Sequence, residues 1–395
     1  MTNLAIIASH PIQYYAPLFR CLAEDGNLNI KVFYLWDFGI TNQIDPGFKQ
    51  SLKWDIPLLD GYNFEFVPNI SKDRGTHHIF GLQNPSLTQQ VLAFKPDAIF
   101  LTVSYNYASI YRFLWQMKNI NIPIIFRGDS HRIQAKNDFK SQLKKLFIAK
   151  IFQNFAACLY VGKANYEYFK YHSVLESKLF FAPHAIDNHR FSAMTNELSS
   201  QAKTWQQELG IPLQNQVILF AGKFEHKKRP LDLIQAFINA QLKSVSLLLV
   251  GSGNLDAQMR ELAKQNDQIY FAPFQNQSLM PRTYASCDVF VLPSYGSGET
   301  WGLAINEAMC MGCAVIVSSH VGCAADLVKQ RKNGLIFEAG NVEALTTSLK
   351  EAMADHYRLK RWGEESKIIV RDYCYDRIIA GLKEALAAIC NKSNL

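Results

Sequence analysis

Two series of short apolar, β-branched runs, each alternating with helical stretches, constrain this chain more than any other feature of its sequence. The first series is LAIIAS, IKVFYLW, KPDAIFLTV, IPIIFR and AACLYVG. The second is QVILFAG, VSLLLVGSG, QIYFAPF, VFVLPS, AVIVSS and GLIFEA. Strands that alternate with helices, rather than with tight turns, predict parallel sheets covered on both faces. The two series therefore predict two doubly wound α/β domains. Residues 188–216 are polar and carry no apolar period, so they read as the linker. The expected division is 1–190 and 191–375, with a last helix over 376–395 packing back on the first domain. Its Ile, Leu and Ala positions supply a packing face. Ligands of such sheets bind beyond the carboxyl ends of the strands, so the loops after strands are where chemistry is sought.

Composition narrows the classes of function. The 395 residues are 48% hydrophobic and 19% charged, a globular balance. The net charge of +7 suits a phosphorylated ligand or an anionic membrane surface. Nucleic acid ranks last, because no zinc-finger spacing or aromatic-basic signature is present. The first residues show no basic, apolar leader, and no apolar run is long enough to span a bilayer. A cytoplasmic protein with eight reduced cysteines is expected. Cys310 and Cys313 form a C-x-x-C. Without a second pair or a nearby His, it reads as two small residues at a helix end rather than half a metal site.

Four clusters in the second half carry the chemistry. In FAGKFEHKKRPLDLIQAF a strand ends at Gly222 and a helix starts near Pro230, with Lys223 and Lys228 between them. Two ammonium groups beside a helix start suit a diphosphate, and a solvated basic loop is the bland alternative. In LLLVGSGNL, Gly251 and Gly253 either let a ligand approach the backbone or make a tight turn. Phe274, after the QIYFA strand, lines a base pocket or belongs to the core. The stretch GSGETWGLAINEAM places Glu299 in a Gly-rich loop. Thr300, Trp301, Gly302 and Leu303 then stand at a helix N-terminus, and Glu307 two turns into that helix. Helix-start amides favour an anion, and the two carboxylates accept hydrogen bonds from sugar hydroxyls.

Here the sequence resembles a known family. ETWGLAINEAM followed by GCAVI is similar to the E-x7-E signature of family 4 retaining glycosyltransferases of the GT-B fold. AGKFEHKKRPLDLIQAF resembles their diphosphate-clamp segment, with Lys223 standing where that family has Arg. FFAPHAIDNHRF resembles their hinge, with Pro183, Ile186, Asp187 and Phe191 matching. The resemblance implies two Rossmann-like domains facing across a cleft, with the acceptor on the first and a nucleotide-sugar on the second. It implies that Glu299 holds the donor sugar, Glu307 the ribose, and Lys223 and Lys228 the diphosphate, with amides near Gly302 and Leu303 on phosphate or sugar oxygens. It also implies retention of configuration, a UDP- or GDP-sugar donor, and a glycan or lipid-linked acceptor in envelope or exopolysaccharide synthesis. No D-x-D occurs in the chain, so the lysines and the helix start are expected to take a metal's place. No metal and no cofactor are expected.

In the first half, IIFRGDSHR puts Arg127, Asp129, His131 and Arg132 after a strand end. Asp129 and His131 are both carried as the residue bordering the reaction, each against a structural loop role. His10 and Gln13, in the HPIQ break after the first strand, are expected on the acceptor side. Residues 136–155 read as a basic amphipathic helix. Lys136, Lys140, Lys144, Lys145 and Lys150 supply its charge, and Phe139, Leu143, Leu146, Phe147, Ile151 and Phe155 supply its apolar stripe. It serves as a peripheral membrane contact or as an ordinary solvated helix. The competing functional readings are an epimerase or sugar-phosphate synthase of the same fold, and a silent nucleotide-sugar-binding subunit.

Overall fold

A computed structural model describes residues 1–41, 43–45, 50–134, 138–192 and 195–393. Its contacts divide the chain into two units. The first comprises residues 1–43, 52–183 and 375–395, and the second 44–51 and 184–374. The chain thus changes unit between Pro183 and His184, ahead of the expected 190/191 division.

After β1 (Thr2–Ala8), α1 (Ala16–Ala23) and β2 (Leu28–Tyr34), a short ribbon of β3 (Gln43–Asp45) and β4 (Gln50–Leu52) that falls mostly in the second unit interrupts the first unit. The first unit continues β5 (Phe64–Phe66), α2 (Leu87–Ala93), β6 (Ala98–Leu101), α3 (Ala108–Met117), β7 (Ile124–Arg127), α4 (Phe139–Phe152), β8 (Ala157–Tyr160), α5 (Lys163–Tyr171) and β9 (Leu179–Phe181). Its seven-stranded sheet runs β5-β2-β1-β6-β7-β8-β9 and is parallel throughout. The strand order reverses direction between β1 and β6, which is where such sheets open a crevice at their carboxyl edge. β6 and β7 are buried along their whole length, as a sheet covered on both faces requires.

The second unit carries α6 (Asn188–Ser192), α7 (Asn196–Glu208), β10 (Gln216–Ala221), α8 (Pro230–Ala240), β11 (Val245–Val250), α9 (Asp256–Ala263), β12 (Ile269–Ala272) and α10 (Met280–Ala285). β13 (Val289–Leu292), α11 (Leu303–Cys310), β14 (Ala314–Ser318), α12 (Ala324–Leu327), β15 (Gly334–Phe337), α13 (Val342–Met353) and α14 (His356–Val370) complete it. The six parallel strands run β12-β11-β10-β13-β14-β15. The reversal lies between β10 and β13, so the loops after these two strands flank its crevice.

The last helix, α15 (Tyr375–Ser393), belongs to the first unit and packs on β8 and β9. It lies so close that a Cβ on Gly381 would stand 2.1 Å from the Phe181 carbonyl oxygen.

Two expectations are corrected. Residues 188–216 are no linker: they form α6 and α7. The Thr195 hydroxyl caps α7 by accepting from the Leu198 amide, and Ala202 and Trp205 are buried beneath it. Two buried residues anchor a helix whose exposed faces hide the period. Nor does 136–155 carry one apolar stripe. Lys136 lies outside the described residues, and the helix spans Phe139–Phe152. Phe139, Leu143, Leu146 and Phe147 are exposed, whereas Ile151 and Phe155 are buried, Phe155 beyond the helix end. Among the described residues no helix is long and apolar enough to cross a membrane.

Candidate functional site

In the second unit, β10 delivers the chain into a loop that opens with Gly222 at φ +156°. Phe224 is fully buried and pins this loop to the core, leaving Lys223 and Lys228 partly exposed. Arg229 adopts the left-handed region and Pro230 occupies the first turn of α8, so the loop ends abruptly. The neighbouring strand contributes Gly251 and Gly253. A Cβ on Gly251 would stand 2.0 Å from the Gly222 carbonyl oxygen, and one on Gly253 2.5 Å from that of Phe224. These glycines make room for the adjoining loop, as a tight turn requires. Phe274 is partly buried just past β12.

Across the crevice of the same sheet, β13 leads through the buried Ser294 into the Gly-rich loop. That loop is tied down at several points. The Tyr295 amide donates to the Lys227 carbonyl at 2.8 Å, which joins it to the loop after β10. The Gly296 amide donates to His320 Nδ1 at 3.2 Å, and the Gly322 amide to the Glu299 carbonyl at 3.1 Å. Gly302 caps α11 at φ +98°, where Leu292 and Val321 leave no room for a side chain. Trp301 is buried and donates from Nε1 to Asn306 Oδ1 at 2.8 Å, while the Asn306 amide reaches the His184 carbonyl at 3.2 Å. The α11 N-terminus is therefore rigidly aimed.

The two loops meet through their charges. Lys228 Nζ forms an ion pair with Glu299 Oε2, and Ser294 Oγ donates to the same oxygen at 2.9 Å. The two side chains are 19% and 12% exposed, so the pair is largely shielded from water but still reachable. Glu307 is different. It is the fifth residue of α11, one turn in rather than two, and only 2% exposed. Its Oε2 accepts a hydrogen bond from the Tyr284 hydroxyl at 2.7 Å. Tyr284 had no sequence signal of its own. The Cys310 thiol is pushed up to about 12, first by burial and then by the nearby Glu307. Cys313 lies not against Cys310 but 3.1 Å, sulfur to sulfur, from Cys287.

The first unit treats its candidates differently. Arg127 is no loop residue: it ends β7 and is 1% exposed. It donates to the Tyr15 hydroxyl at 2.8 Å, the Pro183 carbonyl at 2.7 Å and the Ala182 carbonyl at 3.3 Å. It therefore clamps the strand at which the chain leaves this unit. His10 stands edge-on to Trp36 and Phe38, with Ser9 Oγ 3.1 Å from its Nδ1, and burial lowers its pKa to about 4. It is neutral at neutral pH. Gln13 is buried. Asp129 and His131 stay partly exposed in the loop after β7. The Ile133 amide donates to His131 Nδ1 at 3.1 Å, and His131 Nε2 is turned into the protein. Arg132 stacks on the Tyr171 ring at 3.3 Å. Among the described residues, one group of His and acidic side chains is tight enough to share a cation: Asp73, His77 and His78. His78 Nδ1 accepts from the Phe80 amide and its Nε2 lies 3.0 Å from the Asp73 carbonyl, so this group latches its own loop.

Residues 201–368 match the family of glycosyl transferases group 1. An uncharacterized glycosyltransferase of Methanocaldococcus jannaschii is 26% identical over 179 residues, 44% of this chain and 45% of that protein. A D-inositol 3-phosphate glycosyltransferase of Xylanimonas cellulosilytica is 24% identical over 216 residues, 53% and 51% of the two chains. The chain spans about half the length of these curated relatives. HepE of Anabaena, solved in complex with UDP and glucose, superposes with a TM-score of 0.73 over 98% of this chain and 100% of that one, at 16% identity. The two parallel-sheet units have the GT-B glycosyltransferase fold.

Proposed function

We propose that the chain is a retaining, family 4 glycosyltransferase. It moves a sugar from a UDP- or GDP-sugar to a hydroxyl of a glycan or lipid-linked acceptor, in envelope or exopolysaccharide synthesis on the cytoplasmic side of the membrane. One observation carries this reading: Lys228 and Glu299, from the two loops flanking the β10/β13 reversal, meet beside the N-terminus of α11. That is where a doubly wound sheet binds its ligand. The match over 201–368 covers both loops, and the UDP held by HepE supports a nucleotide donor.

The residues divide the work as follows. Departure of the nucleoside diphosphate leaves charge on phosphate oxygens. Lys223, Lys228 and the amides around Gly302 and Leu303 stabilise it, within a frame that needs no reorganisation. Glu299 accepts from the donor sugar's hydroxyls and Glu307 from the ribose. Lys228 and Glu299 also pair with each other, so phosphate at the one and sugar at the other compete with that pair. Asp129 or His131 borders the acceptor hydroxyl. Fixed cations stand in for a divalent metal, so transfer proceeds in EDTA. Thermal-shift titration with UDP-, GDP- and ADP-sugars tests the donor, since a ligand of the native state raises the midpoint. One class raises it, with or without EDTA; no shift with any donor sinks the proposal, and a strict need for Mg²⁺ sinks its metal-free step.

The acceptor's setting follows from α4. Four neighbouring apolar side chains, Phe139, Leu143, Leu146 and Phe147, are 53–77% exposed beside Lys140 and Lys144. Apolar tips among lysines suit the interface of an anionic bilayer, which is where a lipid-linked acceptor waits.

A further inference from the structure

We infer that Tyr284 is the positioning residue that makes the Glu307 carboxylate selective for a ribose over a deoxyribose. This rests on the reading of Glu307 as the nucleoside-sugar contact, and it adds a residue and a selectivity to that site. A carboxylate that is 2% exposed, on a helix whose neighbours Ile305, Ala308 and Met309 are fully buried, is costly unless donors face it. The Tyr284 hydroxyl faces Oε2 at 2.7 Å. A phenol has one proton, and here it is given to the carboxylate. Glu307 is thereby held as an acceptor, ready for the two vicinal hydroxyl donors of a ribose.

The hydroxyl is aimed as well as near. The Tyr284 ring is 1% exposed and wedged edge-on between Phe191, at 6.0 Å, and Phe290, at 5.5 Å. Its backbone carbonyl accepts from the Cys287 amide at 3.2 Å and from Cys313 Sγ at 3.4 Å. Cys313 closes the end of α11, through its amide to the Ala308 carbonyl at 3.0 Å, so the helix bearing Glu307 and the helix bearing Tyr284 are fixed to each other at both contacts. A ring so mounted cannot follow a carboxylate that swings, and a carboxylate so held cannot turn from the sugar. A phenylalanine would fill the same space and lack the hydroxyl that makes this contact.

The experiment is calorimetric binding of UDP, GDP and ADP, and of the 2′-deoxy form of the one bound most tightly, to the wild type, Tyr284→Phe and Glu307→Gln. The wild type is expected to prefer the ribonucleotide about tenfold. In Tyr284→Phe, ribonucleotide affinity falls roughly tenfold while deoxynucleotide affinity holds, so the preference vanishes. Glu307→Gln, which keeps the shape and removes the charge, loses the same preference. Should Tyr284→Phe retain the full ribose preference, or weaken both nucleotides alike, the inference is overturned while the donor site stands. Should the wild type bind no nucleotide, the donor reading falls and takes the inference with it. Melting midpoints of both variants accompany the titrations, and Tyr284→Met, which likewise removes the hydroxyl, is titrated in its place if Tyr284→Phe does not fold.

Discussion

The loops after β10 and β13 in the second unit and those after β1 and β7 in the first are alike in sequence: broken by Gly or Pro, and each bearing a titratable side chain. The structure uses them in opposite ways. In the second unit the charges stay at a crevice rim, where Lys228 meets Glu299. In the first, Arg127 is sunk into the sheet and spent on Tyr15 and two carbonyls, and His10 is a neutral wedge between aromatics. Residue type after a strand end thus says little by itself. What separates the two is whether a frame of glycine turns and backbone hydrogen bonds keeps the charge within reach of a ligand.

The largest test of that contrast is Glu299→Ala. Removing an acceptor that acts on the reacting sugar is expected to lower kcat by about 10²–10³-fold, with the melting midpoint nearly unchanged. Activity at the wild-type level would erase the distinction. Arg127→Ala should do the reverse. It leaves two carbonyls and a phenol without their buried donor and costs about 3 kcal/mol of stability in denaturant titration. A stable Arg127→Ala protein without transfer would move this residue into the reaction.

The third test is acid. Burial lowers His172 to about 4, helped by Arg132, Lys145 and Lys144 and opposed by the Lys145 carbonyl, and burial does the same to His10. Between pH 6.5 and 4 the unfolded chain binds more protons than the folded one, so stability is lost as pH falls through that window and is flat above it. His172→Phe should make the fall shallower. An unchanged slope would mean that the ring is protonated in place. The smallest effect is expected at α4: Phe139→Ser with Leu146→Ser should leave turnover of a water-soluble acceptor intact and reduce co-sedimentation with phosphatidylglycerol vesicles a few-fold. Equal sedimentation would assign α4 to solvent.

Much of this was legible in the sequence, for a physical reason. Strands buried on both faces write themselves as unbroken apolar runs, so the two sheets are visible in LAIIAS or SLLLV. The second-unit loops are legible because local spacing sets their geometry: Gly302 caps α11, and Glu307 follows on the same helix. Three features stayed hidden because they join residues far apart in sequence. Tyr284 reaches Glu307 across two helices, Arg127 reaches Pro183 across half a domain, and Trp205 anchors a helix that is polar on every other face. α4 misled because its apolar residues follow helical spacing, while Phe139, Leu143, Leu146 and Phe147 stay exposed all the same.

One feature of the fold bears on how the molecule comes into being. β8 and β9 are covered by α15, which the ribosome makes only after the whole second unit has been synthesised. The first unit, though begun earlier, must wait with that flank of its sheet bare, while the second has every strand it needs beforehand. The order of synthesis is therefore not the order of completion: the later half closes first, and residues 375–393 seal the earlier one.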